Sequence, residues 1–246
     1  MAQPSHSVDF DKSPPMPLSA YEQTVKCVNV GYDLTFLLTE CFLRALGAPN
    51  LHILVIGAGG GAEIERFLPG NPGWRITGID PSREMLAMAR SKVTDLGVED
   101  RVTLVQGTVA QLAPEPLFDA ATCLYVLHFL PDAAKVDLLR DIRARLRPGA
   151  PLYLISGVRV DETTLGVGGA DSRLRADFLG AWQQHGELMG MPAEQMAGII
   201  GQLVEQMAQS QVATAGRIED LMREAGFTHI APYYMTLGAM YGWIAR

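Results

Sequence analysis

The sequence predicts an α/β fold: a Rossmann-like, doubly wound sheet with a helical lid. From Leu51 onward, short apolar runs rich in β-branched residues alternate with helical patterns, which is the order of βαβ units. A glycine-rich turn follows the first of these runs. The chain has 246 residues, of which 48% are hydrophobic, so it can bury one large core. We therefore expect one domain built around one sheet.

Seven strands are predicted in this sheet. The first five are parallel and read LHILVIG, WRITGID, RVTLVQG, FDAATCLYV and APLYLIS. Between them apolar residues recur at helical spacing, as at Leu86, Ala89 and Val93. The closing stretch THIAPYYMTLGAMYGWIAR predicts two strands joined near Met235 to Gly238.

Two further parts of the chain are expected beside the sheet. Residues 1–18 are rich in Pro and Ser and predict a flexible N-terminal arm, and residues 19–46 predict a helical lid with a break at Asn29 to Asp33. Residues 47–246 form the predicted ligand-binding domain, with an insertion at about 158–212. The insertion carries two helical stretches rich in Met, Gln and Gly, and we interpret it as the second part of the lid.

Composition limits the classes of partner. The formal net charge is -7 and the pI is near 5.2, so no overall positive field attracts nucleic acid or an anionic membrane. The cysteines Cys27, Cys41 and Cys123 have no CxxC spacing, which favours reduced thiols in a cytoplasmic protein. No stretch approaches eighteen apolar residues, so no membrane span is expected. The apolar lid helices favour a homodimer.

The glycine-rich turn GAGGGA predicts a nucleoside cofactor. Gly57, Gly59 and Gly61 follow a strand and open a helix, where backbone N–H groups are exposed to a polar ligand. Asp80 ends the second strand and is placed to accept both ribose hydroxyls. Met85, five residues further on, packs either on adenine or in the core. A nicotinamide dehydrogenase also begins this way, but no YxxxK pair follows any tyrosine.

The order of six motifs resembles the class I S-adenosylmethionine-dependent methyltransferases over almost the whole chain. These motifs are ILVIGAGGG, ITGIDPSREML, RVTLVQGTV, FDAATCLYVLHFLPD, LRPGAPLYLIS and a closing AGF with its strand pair. The resemblance implies that the last strand pair is antiparallel. It also implies S-adenosyl-L-methionine (SAM) as cofactor and S-adenosyl-L-homocysteine (SAH) as its product.

In layout, the chain is most similar to the carboxy-S-adenosylmethionine synthase branch, which serves tRNA wobble-uridine modification. The similarity rests on VGYD, GIDPSREML, LHFL and the insertion before AGF. It implies a set of cofactor contacts along the strand ends, and these are Tyr32, Gly57, Ala58, Gly59, Asp80, Pro81, Thr108, Val109 and Leu124.

Departures from that branch point to plain methyl transfer. Val55 stands where methyltransferases commonly have an acid two residues before the first glycine, Thr108 replaces an aspartate, and Leu124 replaces an asparagine. Leu203 stands where the branch has the arginine that reads the extra carboxylate, and no Lys or Arg occurs from 176 to 216. Such an arginine contributes roughly 1.5 to 3 kcal/mol, so its absence removes preference for a carboxylated ligand.

Two alternatives remain open at this point. One is a carboxy-S-adenosylmethionine synthase whose arginine is Arg173, Arg175 or a residue of a dimer partner. The other is a non-catalytic module that binds SAM.

Methyl transfer from a sulfonium is an in-line displacement, so the protein mainly aligns the acceptor and excludes water. His128 is the candidate general base, although its ring could instead pack against the end of the sheet, and Tyr125 is the second candidate catalytic residue. Tyr21, Trp182 and His185 are candidate substrate contacts from the lid, where core packing is the alternative.

The expected acceptor is a small, partly apolar molecule methylated at O, N or C. No nucleic acid is expected as a partner, because the basic run RDIRARLR has the spacing of a solvated helix face. No metal is expected, because the five histidines lack ligand spacing and HExxH is absent.

Overall fold

The computed structural model describes residues 11–12, 20–159, 172–208, 212–237 and 239–246. Its sheet has seven strands in the order β3-β2-β1-β4-β5-β7-β6. Strands β1 to β5 are parallel, and β7 is antiparallel to both β5 and β6. The strands are β1 His52–Ile56, β2 Arg75–Asp80, β3 Val102–Gln106, β4 Ala120–Leu124, β5 Leu152–Gly157, β6 Ile230–Thr236 and β7 Met240–Ala245. The predicted fold class is therefore confirmed.

Helices cover both faces of the sheet. They are α1 Tyr21–Val28, α2 Tyr32–Ala45, α3 Ala62–Phe67, α4 Arg83–Leu96, α5 Asp132–Arg145, α6 Ser172–Leu188, α7 Ala193–Ala208 and α8 Ala215–Glu224. Apolar residues of α2, α3 and α4 form one buried layer, and those of α5 and α8 form the other. The apolar residues that recur at helical spacing in the sequence therefore lie on the helix faces that are buried, as predicted.

The lid segments form four helices that lie beside the sheet. The predicted helical stretch before β1 is divided into α1 and α2, and its break is held by Tyr234 of β6, whose hydroxyl donates to the Val30 carbonyl at 2.6 Å. Gly31, at φ 77°, starts α2 beside that hydroxyl. Helices α6 and α7 pack on each other and α6 packs on α1, around Cys27 and Met196.

Some predictions concern residues that the structure does not describe. They include most of the N-terminal arm, for which only Asp11 and Lys12 are described, and residues 160–171 of the insertion. The side chain of Arg175 is also outside the described set, whereas Arg173 is exposed at the start of α6.

Gly78 allows β2 to pack against the glycine turn. A Cβ atom at this position would lie 2.9 Å from both the Ala58 Cβ and the Leu104 Cδ2. Ala58 follows Gly57 in the turn, so its Cβ can move only if the backbone of the turn moves. The glycine in GID therefore sets the distance between β2 and the turn.

We expect Gly78→Ala to lower the free energy of unfolding by about 1 to 3 kcal/mol, because it overpacks a buried contact. Chemical denaturation and thermal unfolding measure this change. The control is Gly198→Ala at an exposed position of α7. Apart from chain neighbours and the backbone of the helix itself, no described atom would lie within 4 Å of an added Cβ there, and helix propensity favours alanine by about 0.5 to 1 kcal/mol. Equal stability of the Gly78→Ala variant and the wild type would contradict this account.

Candidate active site

A cavity of about 530 Å³ opens at the carboxyl ends of β1, β2 and β4. The strand order reverses between β1 and β4, and ligands of open α/β sheets bind at such a reversal. The wall includes Gly57 after β1, Asp80 at the end of β2 and Leu124 at the end of β4. The cavity is therefore where this class of sheet places its ligand.

The glycine turn forms the floor of the cavity and allows close approach of its neighbours. Gly57 and Gly59 have positive φ angles of 67° and 48°, and both line the cavity with Ala58. The Gly57 and Ala58 N–H groups donate to the Ile79 carbonyl at 2.8 and 3.0 Å. A Cβ atom at Gly57 would lie 2.3 Å from the Val126 Cγ2. Only glycine fits both this backbone and this space.

Asp80 is held between the glycine turn and α4. Its Oδ2 accepts the Gly59 N–H at 3.0 Å, and its Oδ1 accepts the Ser82 N–H at 2.8 Å. Burial raises the pKa of the Asp80 carboxyl. An ionised carboxylate offers about four acceptor positions, so each oxygen can accept one more hydrogen bond. The side chain is thus fixed with acceptors available for a diol.

An aromatic wall closes the cavity beside α2. The rings of Tyr32 and Tyr125 lie 5.1 Å apart and those of Tyr32 and Phe36 lie 4.9 Å apart. Tyr125 has a φ of 64°, a conformation that costs a non-glycine residue about 1 to 3 kcal/mol. Thr35 donates its hydroxyl proton to the Tyr32 carbonyl, so the Tyr125 hydroxyl donates to the Thr35 Oγ1 at 3.0 Å. This bond and the ring contacts hold Tyr125 in place.

His128 also lines the cavity, in a short 3₁₀ turn after β4. Burial, with the nearby charge of Lys135, lowers the pKa of the imidazole to about 4, so the ring is neutral at pH 7. The Gly157 N–H donates to His128 Nδ1 at 3.2 Å, which places the ring proton on Nε2. This geometry favours a hydrogen-bond donor rather than the general base that the sequence suggested.

Glu63 is a cavity residue that the sequence analysis did not identify. It lies in the first turn of α3 and is only 4% exposed. Burial raises the pKa of its carboxyl to about 8, and the nearby Asp80 acts in the same direction. The available signal was the sequence GAE, which places an acid directly behind the glycine turn. Whether that acid faces the cavity or solvent depends on how α3 packs.

Eight predicted cofactor contacts lie in the cavity wall, and three do not. Those in the wall are Tyr32, Gly57, Ala58, Gly59, Asp80, Pro81, Met85 and Leu124. Gly61, at φ 81°, instead begins α3, where a Cβ atom would lie 3.2 Å from the Ala89 Cα. Thr108 is exposed and caps a short turn with Gln111, and Val109 is buried in the core. Neither lines the cavity in the described structure.

Among the candidate substrate contacts, only Tyr21 lines the cavity. The Trp182 indole N–H donates to the Val28 carbonyl at 2.6 Å, and the His185 ring donates from Nδ1 to the Cys27 carbonyl at 2.9 Å. Trp182 and His185 therefore hold the carboxyl end of α1 and are not part of the cavity wall. A helix end leaves such carbonyls without partners, which explains why two ring N–H groups meet there.

Asp11, from the N-terminal arm, meets the start of α4. It accepts the Ser82 hydroxyl at 2.6 Å and the Arg83 and Glu84 N–H groups at 3.1 and 3.2 Å. A carboxylate at a helix N-terminus satisfies its N–H groups and its partial positive charge. Asp11 and Lys12 consequently form part of the cavity wall next to Pro81.

The described residues lack two kinds of feature. No helix in that part of the chain combines the length and apolarity that a bilayer crossing requires. The same part contains no group of three or more His, Cys, Asp or Glu side chains placed to hold a metal ion. The absence of a bound metal stays a prediction.

Residues 54–152 match a family model described as "Methyltransferase domain". This segment runs from β1 to β5 and includes the glycine turn, Asp80 and Leu124. The match covers 99 of the 246 residues. The superfamily predicted from the motif order is thus confirmed, whereas the resemblance to the carboxy-S-adenosylmethionine synthase branch stays a prediction.

Curated relatives match about half of the chain or less. A ubiquinone biosynthesis O-methyltransferase of Alkalilimnicola ehrlichii is 41% identical over 106 residues, which is 42% of this chain and 41% of that protein. One from Pseudomonas aeruginosa is 33% identical over 125 residues, 50% of this chain and 51% of that protein. The chain therefore spans about half the length, or less, of these two relatives.

A solved structure matches the fold of the chain over nearly its full length. Magnesium protoporphyrin IX methyltransferase from Synechocystis PCC 6803, with bound SAH, aligns at a TM-score of 0.60 and 16% identity. The match covers 96% of this chain and 94% of that one. At this identity the comparison shows the fold.

The buried Glu63 predicts a pH dependence of the stability of the methyltransferase domain. Its pKa is about 8 in the folded protein and about 4.3 in an unfolded chain. The folded state therefore holds the proton more tightly, and this contribution to stability is fully present below about pH 4. It is lost as the pH rises to about 8, by at most about 1.4 kcal/mol per pH unit.

We expect Glu63→Gln to remove this part of the slope. The measurement is urea unfolding at several pH values between 5 and 8, after dialysis to remove bound small molecules. Glu65→Gln, at an exposed position two residues along α3, is the matched control and keeps the wild-type slope. The account is wrong if the Glu63→Gln and wild-type slopes coincide.

Proposed function

We propose that this protein is a SAM-dependent methyltransferase that acts on a small, partly apolar molecule. The observation that carries the proposal is a single cavity with two chemically different ends. The glycine turn and Asp80 form one end, and the aromatic wall with His128 forms the other. A nucleoside cofactor and an apolar acceptor need these two environments side by side.

The first end fits the adenosine part of SAM. Asp80 is held by two backbone N–H groups and keeps acceptor positions that suit the two ribose hydroxyls. Met85 is buried in the wall next to Gly59 and offers an apolar surface to the adenine ring. The positive-φ glycines let the backbone approach the ligand closely. The residues present therefore fit the cofactor.

The second end fits an apolar acceptor. When bound, SAM supplies a methyl group that is already activated, so the protein has to align the acceptor and exclude water. Tyr32, Phe36 and Tyr125 provide a rigid apolar surface, and the Nε2 proton of His128 can orient a polar atom of the acceptor. The printed names of the relatives favour oxygen as the methylated atom.

Other aspects of the proposal rest on composition. The acidic net charge favours a small-molecule acceptor over nucleic acid. The free cysteines Cys27, Cys41 and Cys123 support a cytoplasmic location, and the apolar lid helices support a homodimer.

A carboxy-S-adenosylmethionine synthase is less well supported. The described residues that line the cavity include one lysine, Lys12, and no arginine. The described part of the wall thus lacks a guanidinium to bind an extra carboxylate in bidentate fashion. A non-catalytic SAM-binding module would not need the aromatic wall that adjoins the glycine turn.

The first experiment is direct binding. We expect the dialysed wild-type protein to bind SAM and SAH in isothermal titration calorimetry, and mass spectrometry of freshly denatured protein to detect either ligand. Absence of binding would overturn the proposed function. A co-purified ligand heavier by one carboxylate would favour the synthase.

Asp80→Asn tests the proposed ribose contact. We expect SAH affinity to fall by about 10- to 100-fold, because a charged acceptor for two hydroxyls is replaced by an amide with one acceptor oxygen. Calorimetry measures the affinity, and the Tm checks the fold. Asp95→Asn in α4 is a matched change away from the cavity and leaves the affinity unchanged. Unaltered binding by the Asp80→Asn variant would place the ribose elsewhere.

Substitution of His128 separates a hydrogen-bond donor from a general base. Glutamine can donate from its amide but cannot take a proton, so His128→Gln should retain kcat within about tenfold of wild type, whereas loss of a base costs about 10²- to 10⁴-fold. His128→Phe removes the donor and should be slower than His128→Gln. The assay uses the acceptor found by screening, with labelled SAM.

The pKa of about 4 adds a second readout for His128. The neutral ring persists from alkaline pH down to about pH 5, so the wild-type rate should show no inflection near pH 6.5 from this residue. A large loss of kcat in His128→Gln would instead indicate that His128 acts as a general base.

A further inference from the structure

Glu63 lies in the cavity wall, and the part of the chain that the structure describes gives it no positively charged partner. Thr122 donates a long hydrogen bond of 3.5 Å to its Oε1, and its own backbone N–H is the other donor that acts on it. Among the described residues, no Lys, Arg or His nitrogen forms an ion pair with this carboxylate. A buried carboxylate that is neither paired nor well hydrogen-bonded is costly, so its presence needs an explanation.

The groups around Glu63 make its charge less favourable. Those that interact with it electrostatically are Asp80 on β2, Tyr21 on α1, Tyr32 on α2 and Cys123 on β4. Each of these groups is either neutral or negative, and Glu63 raises the pKa of the two tyrosines and the thiol. What would stabilise the ionised carboxylate is therefore a cation inside the cavity.

The position of Glu63 indicates which cation. It lies on α3 directly behind the glycine turn, while Asp80 lies at the adenosine end of the same cavity. The side chain reaches Thr122 in the middle of β4, and Glu63 lines the cavity together with the glycine turn and the aromatic wall. In the proposed cofactor this region corresponds to the chain that extends from the ribose, which ends in an amino acid.

We propose that Glu63 binds the ammonium group at the amino-acid end of the cofactor and thereby selects ligands that carry this positive charge. This inference rests on the proposed function. An N–H donor of the ammonium gives the carboxylate the charge-assisted hydrogen bond that the described residues do not supply. The carboxylate is held neutral in the free protein and ionises when the cation enters.

The experiment is a two-by-two comparison of ligand and variant by isothermal titration calorimetry. The ligands are SAH and 5′-S-(3-carboxypropyl)-5′-thioadenosine, which differs from SAH only by loss of the amino group. The proteins are wild type and Glu63→Gln, which preserves shape and removes the charge. We expect Glu63→Gln to weaken the affinity for SAH by about 10- to 100-fold. The affinity for the deaminated ligand should stay within about threefold of the wild-type value.

Proton release is a second readout that a merely structural role would not change. At pH 7, titrations in two buffers of different ionisation enthalpy should show that the wild type releases more protons on binding SAH than Glu63→Gln does. The difference approaches one proton, because the Glu63 carboxyl has a pKa of about 8 before binding. Glu65→Gln, exposed on the same helix, is the matched control and behaves as wild type in both measurements.

The outcomes are distinct. If Glu63→Gln weakens both ligands equally, or neither, or if proton release is unchanged, Glu63 does not bind the ammonium, although SAH binding by the wild type would still support the proposed function. If the wild type binds neither ligand, both the inference and the proposed function are overturned. A Tm measurement confirms that the Glu63→Gln variant is folded in each comparison.

Discussion

The close packing of the glycine turn between the strand ends is the constraint on which the site depends. Gly57 leaves room for Val126 after β4, and Gly78 leaves room for Ala58 in the turn itself. Because the turn can lie this close to β2, its N–H groups reach the Ile79 carbonyl and the Asp80 carboxylate. The same contacts therefore stabilise the strand ends and orient the residue that is proposed to bind the ribose.

The electrostatics of the cavity follow from two buried carboxylates. The Asp80 carboxylate accepts two backbone N–H groups, whereas in the described structure the Glu63 carboxylate accepts a long hydrogen bond from Thr122 and one from its own backbone N–H. Val55 pairs with Thr122 across β1 and β4, and Glu63 reaches Thr122 from α3. Val55 is the position of β1 where methyltransferases commonly have an acid. Glu63 thus brings a carboxylate close to this position, but from α3 rather than from β1. A cavity of this charge is suited to a cationic ligand.

Polar contacts from α6 and β6 position the lid helices α1 and α2. Trp182 and His185 of α6 bind the last carbonyls of α1, and Tyr234 of β6 binds the carbonyl of Val30 in the break between the two helices. Once α2 is held in this way, its Tyr32 ring lies against Tyr125 at the end of β4. The aromatic wall thus depends on polar contacts made outside the cavity.

The sequence by itself determined the order of elements, the glycine turn and Asp80, because hydrophobic period, positive-φ glycines and a strand-end acid are local properties of the chain. Tertiary structure decided the rest. It turned Glu63 inward, and it assigned Trp182 to a helix end and Val109 to the core. It also determined which ring nitrogen of His128 carries the proton, because only the fold brings the Gly157 N–H to Nδ1. A side chain's direction and its hydrogen-bond partner depend on residues far away in sequence, which no local pattern contains.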